Sequence, residues 1–333
     1  MNRAGSVALL GAAIAASLGA YWLFGEEARP RPLPPVPQDD LELVAALFDA
    51  SPAEAPRDQL VATPEAVYLA RAADRAVTVM TVTQPATDDA GLPRIIAHLD
   101  APARGMAYAS GALWISTTRS VLRVPVGGGE VRPIAVLGRP RSIACDGTSV
   151  FVVDVDPTPT GLTHANTVVH IPAAGGERVI LGRSDGEITN VALDDASVYW
   201  ADRLEGTIVA APKGGGTPRV LASDRGLPGP IALHGGALTW VEKRSESLWT
   251  MPTAGGTPTR LTQDFAGFAE LVVDARGASW VPEEAVEGVF HVLSLGDAGE
   301  AAAISPAARS IDAIASDGTH LYWAHDGQVG RLP

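Results

Sequence analysis

Between residues 186 and 222 the chain reads GEITNVALDDASVYWADRLEGTIVAAPKGGGTPRVLA. Apolar positions come in short bursts, each closed by a polar or glycine-rich break. Ile188, Val191 and Leu193 mark a first strand, ended by Asp194-Asp195. Ser197 to Ala201 is a β-branched and aromatic run, suited to a pleated, half-buried surface. Asp202 to Gly206 forms a polar turn, Thr207 to Ala211 a third strand, and Arg219 to Ala222 a fourth. Pro212 and the run Gly214-Gly215-Gly216 separate the last two, because proline cannot continue a central strand and glycine supplies positive φ.

This four-strand pattern repeats. The tryptophan position of the second strand is taken in turn by Leu69, Trp114, Val152, Trp200, Trp240, Trp280 and Trp323. These lie roughly 38 to 48 residues apart, the period of four-stranded propeller blades. A second ladder runs in phase: Pro125, Pro172, Pro212 and Pro252 each precede a glycine cluster, and Ser294 takes the proline position of the sixth copy. Seven units follow, at about 59–98, 102–138, 139–182, 186–223, 229–263, 268–305 and 310–333. A large aromatic at a fixed place in each unit is what stacked sheets need to bury. Asp146-Gly147, Asp317-Gly318, Ser110-Gly111 and Gly235-Gly236 are hairpin signals between first and second strands. The expected fold is an all-β propeller of four-stranded blades, seven in number, with six as the alternative, preceded by an N-terminal transmembrane helix.

The segment VYWAD (Val198 to Asp202), followed by GTIVAAPKGGG, resembles the YWTD-type propeller repeat and its bacterial TolB-like relatives. Tyr322-Trp323 keeps the aromatic pair, and Phe151 to Asp154 keeps the aromatic start and the acid. The resemblance covers most of residues 59 to 333 and implies a fold, not an activity. YWTD-type domains typically have six blades, against the seven units counted here.

Upstream of the repeats the pattern changes. Residues 6–24, SVALLGAAIAASLGAYWLF, are uncharged; as a helix they would span about 28 Å, close to a hydrocarbon core. Residues 1–25 are therefore expected to be a signal-anchor, with the remainder exported to the periplasm or cell exterior. Secretion after cleavage near Ala15-Ala16-Ser17 is the alternative. Residues 26–38 form a proline-rich linker that favours extended polyproline II. Residues 39–333 make up the propeller domain. Within it Leu41, Leu43, Val44 and Leu47 resemble the PRVLA strand of the fourth unit. The seventh unit offers three strands, so this segment is expected to pair onto it and close the ring, with a short amphipathic helix as the rival.

The formal net charge of −13 argues against a nucleic-acid partner, which needs clustered Lys and Arg. The single cysteine, Cys145, leaves no intramolecular disulfide and reads as a buried thiol. No nucleophile elbow, phosphate loop, dinucleotide fingerprint or HExxH is present, so no catalytic residue is assigned.

Loops between second and third strands gather on one face of a propeller with the connections between blades. That face is the expected binding surface. Its candidate residues are Asp154, Asp156, His164, Asp202, Arg203, Glu242, Arg244, Glu283 and His325. The longest loop, Asp154 to Asn166, begins Asp-x-Asp. That start offers oxygen ligands for Ca²⁺ but lacks the rest of a calcium-loop pattern, so no cofactor and no metal site are expected. The expected role is a membrane-anchored platform for an unidentified protein or envelope component. A lyase- or hydrolase-type enzyme with its site at the channel mouth, and a structural spacer, are the alternatives.

Overall fold

The computed structural model describes residues 57–81, 94–155, 165–262, 270–282, 285, 288–296, 300–325 and 328–332. The expected signal-anchor, linker and closing segment at 40–48 lie outside these residues. No helix among the described residues is long and apolar enough to cross a membrane.

Seven sheets follow one another in chain order, each an antiparallel meander. Blade 1 holds β1 (Gln59–Ala62), β2 (Ala66–Ala70), β3 (Ala76–Thr81) and β4 (Arg94–His98). Blade 2 holds β5 (Gly105–Ala109), β6 (Ala112–Ser116), β7 (Ser120–Pro125) and β8 (Arg132–Val136). Blade 3 holds β9 (Pro140–Cys145), β10 (Ser149–Val155), β11 (Asn166–Pro172) and β12 (Val179–Ser184). Blade 4 holds β13 (Ile188–Leu193), β14 (Ser197–Asp202), β15 (Thr207–Pro212) and β16 (Arg219–Ala222). Blade 5 holds β17 (Pro228–His234), β18 (Ala237–Glu242), β19 (Ser247–Pro252) and β20 (Thr259–Thr262). Blade 6 holds β21 (Glu270–Asp274), β22 (Gly277–Val281), β23 (Leu293–Leu295) and β24 (Ala301–Ala303). Blade 7 holds β25 (Ala313–Ser316), β26 (Leu321–His325) and β27 (Gln328–Leu332). First strands of successive blades lie side by side, and β25 meets β1 to complete a seven-bladed ring.

No blade has a core of its own. Alternate residues of each second strand point to opposite neighbours, as the two-residue period of a strand requires. Val198 and Trp200 pack with Phe151 and Val153 of blade 3, whereas Tyr199 and Ala201 pack with Ile231 and Trp240 of blade 5. The same sharing recurs around the ring, ending with Val67 and Leu69 against Ala313 and Ala315 of blade 7.

The structure corrects two positions in the repeat ladder. Trp200, Trp240 and Trp323 face the preceding blade, but Trp114 faces the following one, packing with Ile143 and Val150. The position equivalent to Trp200 is Ile115, which turns toward blade 1 with Leu113. One residue of slip moves a side chain to the other face of a sheet, and an aromatic suits either face here. In blade 6, Ser279 pairs with Ser294 as Thr239 pairs with Thr250 in blade 5. The counterpart of Pro252 is therefore Gly296, two residues beyond the expected Ser294.

Turn chemistry follows the sequence. Ser110 and Gly111, like Gly235 and Gly236, all have positive φ, as two-residue hairpins demand. In the turn after β15, Gly215 N–H donates to Pro212 O at 3.0 Å, and Gly215 and Gly216 sit at φ 94° and 129°. The fourth strands of blades 1 to 5 share a further device. Each is interrupted by a one-residue β-bulge opposite the third strand, as between Ile208↔Ala222 and Val209↔Val220. The bulged residues are Ile96, Ile134, Leu181, Leu221 and Leu261. All are aliphatic and all lie in or against a core shared between blades.

Candidate functional site

The loops joining second to third strands share one face with the connectors between blades, and the two sets are bonded together. Arg203 N–H donates to Glu187 O at 2.8 Å, Arg225 N–H to Gly206 O at 2.9 Å, and Arg244 N–H to Gly226 O at 2.9 Å. A Cβ added at Gly206 would lie 2.7 Å from Arg225 O, so only glycine lets the connector approach this closely.

Three expected site residues occupy one structural position, the end of the second strand in blades 3, 4 and 5. Asp154 accepts from Gly138 N–H at 3.1 Å and Arg139 N–H at 2.8 Å, one bond to each oxygen. Asp202 is buried and accepts from Glu205 N–H at 3.1 Å. Glu242, 4% exposed, accepts from Gly226 N–H at 3.2 Å and Ser245 Oγ at 3.2 Å, and pairs with Arg225 at 3.2 Å. The Arg225 guanidinium also stacks 4.9 Å above the Trp249 ring. These carboxylates therefore fix loop and connector geometry. Amide donors that would otherwise be orphaned are satisfied by them.

Arg203 pairs with Glu187 at 3.0 Å, and Arg244 lies in the next loop beside Gly226. His325 takes the equivalent place at the end of the second strand of blade 7. Beside Arg203, Leu204 is 57% exposed, an apolar tip on an otherwise charged loop. Asp156, His164 and Glu283 lie outside the described residues. Among the described residues there is no cluster of three or more His, Cys, Asp or Glu able to hold a metal ion.

Sequence reasoning missed Glu270. It opens β21, the first strand of blade 6. Although it is only half-buried, desolvation pushes its carboxyl up to about 7, with Arg57 pulling the other way. Its signal was a glutamate heading an inner strand, where blades 3, 4 and 5 place Pro140, Ile188 and Pro228.

The opposite face is built from Asp-capped hairpins. Asp146 accepts from Thr148 and Ser149 N–H and pairs with Lys213 at 2.9 Å. Although burial alone would raise its pKa, these bonds bring it down to about 2. Tyr322 O–H donates to Asp317 at 2.9 Å, and burial together with that acid pushes the phenol up to about 12. Burial likewise pushes the Cys145 thiol up to about 12, the state of an unreactive sulfur.

No family model matches this chain, and no curated protein does. Among solved structures it is similar to virginiamycin B lyase from Staphylococcus aureus, with a TM-score of 0.65, 14% identity and coverage of 83% of this chain and 94% of that one. It is similar to an oligogalacturonate lyase in complex with manganese, with a TM-score of 0.59, 11% identity and coverage of 80% and 84%. It is also similar to PorZ, a bacterial surface component of the type-IX secretion system of Porphyromonas gingivalis, with a TM-score of 0.56 and 12% identity. That match covers 81% of this chain and 35% of PorZ. Two lyases and a secretion component share this architecture, so the likeness carries the fold and leaves activity to the residues of the site.

Proposed function

We propose that the protein is an exported propeller, anchored to a membrane through residues 1–25, whose loop face binds a protein or another component of the cell envelope. The observation that carries this reading is the commitment of Asp154, Asp202 and Glu242 to backbone and ion-pair bonds within the face. Acids held in this way brace a fixed relief. A rigid polar surface bearing an exposed apolar tip at Leu204 suits recognition by shape. The experiment is mild crosslinking of the full-length protein in its own membranes, followed by purification. A stoichiometric partner that is lost with Leu204→Asp and kept with Lys213→Ala supports the platform and assigns its face. A partner kept by both variants, or none under several extraction conditions, overturns it.

Glu270 favours a second reading. A carboxylate that burial pushes up to about 7 against the pull of Arg57 has the tuning of a general base. Turnover of a small molecule by the soluble domain, abolished by Glu270→Gln with no loss of melting temperature, would establish that reading instead.

A further inference from the structure

Each fourth strand is the one farthest from the ring of first strands, so the fourth strands make up the rim of the propeller. Charge is sorted along that radius. Among the described strands every acid lies in a first or second strand: Asp154, Asp202, Glu242, Glu270 and Asp274. Third and fourth strands carry none. Blades 1 to 5 instead each place an arginine at the start of the fourth strand. Arg94, Arg132 and Arg219 stand two residues ahead of the bulged aliphatic, Arg178 three ahead and Arg260 one ahead. All five are exposed.

A charge of either sign blunts a sheet edge against stray strand pairing. Five cations and no acid, in a chain where acids outnumber Lys and Arg by 38 to 25, call for a different explanation. The surroundings of the arginines supply it. On the loop face Arg71, Arg203 and Arg225 are each paired with a carboxylate. Among the described residues Arg94, Arg178, Arg219 and Arg260 meet no carboxylate. Arg132 pairs with Glu130 at 3.0 Å, but both side chains are exposed, and an incoming anion replaces such a partner at little cost. The guanidinium groups also reach across the gaps between blades. A Cβ added at Gly128 of blade 2 would lie 3.6 Å from Arg94 Nη1, and one at Gly255 of blade 5 would lie 3.4 Å from Arg219 Nη1. Arg178 Nη1 donates to Val136 O of blade 2 at 3.2 Å. The cations thus follow the rim from one blade to the next.

We propose that this arc binds a linear polyanion, a flexible polymer carrying carboxylate or phosphate groups. Guanidinium meets either group through paired N–H donors. One exposed contact is weak, but five along one polymer chain act together and bind far more tightly. Exposed Ile95, Val179 and Val220 each follow one of the arginines and offer apolar footing to the polymer backbone. Acids on the loop face repel the same polymer and confine it to the rim. A DNA duplex, stiff over about 150 base pairs, cannot follow this curve. The surface is separate from the loop face, and the case for it stands whether or not that face binds a protein.

The test uses the full-length protein and two probes, alginate for carboxylate and long-chain polyphosphate for phosphate. At least one should bind at low salt and weaken steeply as salt is added; the tighter of the two identifies the group recognised. Arg94→Gln, Arg132→Gln, Arg178→Gln, Arg219→Gln and Arg260→Gln should each weaken binding several-fold and lower the slope of log K against log salt by about one. All five together should abolish it with little change in melting temperature. Arg71→Gln removes the same charge from the loop face and should leave binding as it was. The proposal is overturned if neither polymer binds, if the single changes leave affinity and salt slope unaltered, or if Arg71→Gln costs as much as a change at the rim. Duplex DNA held as tightly as the better polymer also overturns it.

Discussion

Blades 5 and 6 are neighbours built to one plan and made very differently. In blade 5 the second and third strands are six residues each, their hairpin is tight, and Trp240 is fully buried. In blade 6 the third and fourth strands shrink to three residues each, and Ala301–Ala303 is exposed throughout. Ahead of its third strand, Phe290 bridges Ala308, and Val292 accepts from Ile304 N–H at 2.9 Å and donates to Ser305 Oγ at 2.8 Å. Blade 5 draws stability from its own ladder and two shared cores. Blade 6 keeps Trp280 buried but relies on neighbours for the rest, with Val292 packing beside Ile311 and Trp323. A repeat fold therefore tolerates one weak member as long as its flanks are strong.

The contrast can be broken most severely at blade 5. Trp240→Ala empties a site closed on all sides and is expected to destabilise the domain by about 3–5 kcal/mol in urea unfolding. Ala302→Ser on the outer strand of blade 6 should stay within about 0.5 kcal/mol. Glu242→Ala leaves Arg225 without its buried partner, and a loss of about 3 kcal/mol is expected from the same measurement.

Acid and base sharpen the comparison with opposite signs. The folded-state pKa of Asp146 in blade 3 is depressed from 3.8 to about 2, so its stabilisation is present above pH 3.8 and is lost as pH falls through 2. Because Asp146 is exposed, solvent screens this shift, and Asp146→Asn should cost about 1 kcal/mol at neutral pH and flatten the acid limb of stability against pH. Glu270 in blade 6 is raised from 4.5 to about 7, so its contribution is full below pH 4.5 and is lost as pH rises through 7. Melting temperatures of Glu270→Gln should exceed those of the parent at pH 8 and match them at pH 4. The smallest effect is kinetic: amides of β23 and β24 should exchange with deuterium before those of β14 and β15, from local opening alone.

The ring was legible because the sequence states it seven times. Strands with Val198 or Leu321 beside an aromatic align even where one copy is poor, and the seven unit boundaries fall close to the observed blades. What misled was local. Trp114 attracts alignment by identity, yet its neighbours Leu113 and Ile115 hold the equivalent positions, and only pairing reveals a one-residue slip. The site was half legible. The ends of second strands were expected on one face, but a carboxylate in a loop carries no mark of whether it faces solvent or a backbone amide. Asp154 and Glu242 do the latter. Glu270 escaped because the blade pattern assigns its strand to the core, and pattern is silent about a charged residue at the head of an inner strand.

Sharing every core between two blades has an arithmetic consequence. An open array that loses its last repeat uncovers one apolar face; this ring, losing any blade, uncovers two. A fragment ending at a blade boundary is thus not a smaller version of the protein but a sticky one. Deletions and duplications of single blades should vanish from viable populations unless the whole circle re-forms at its new size.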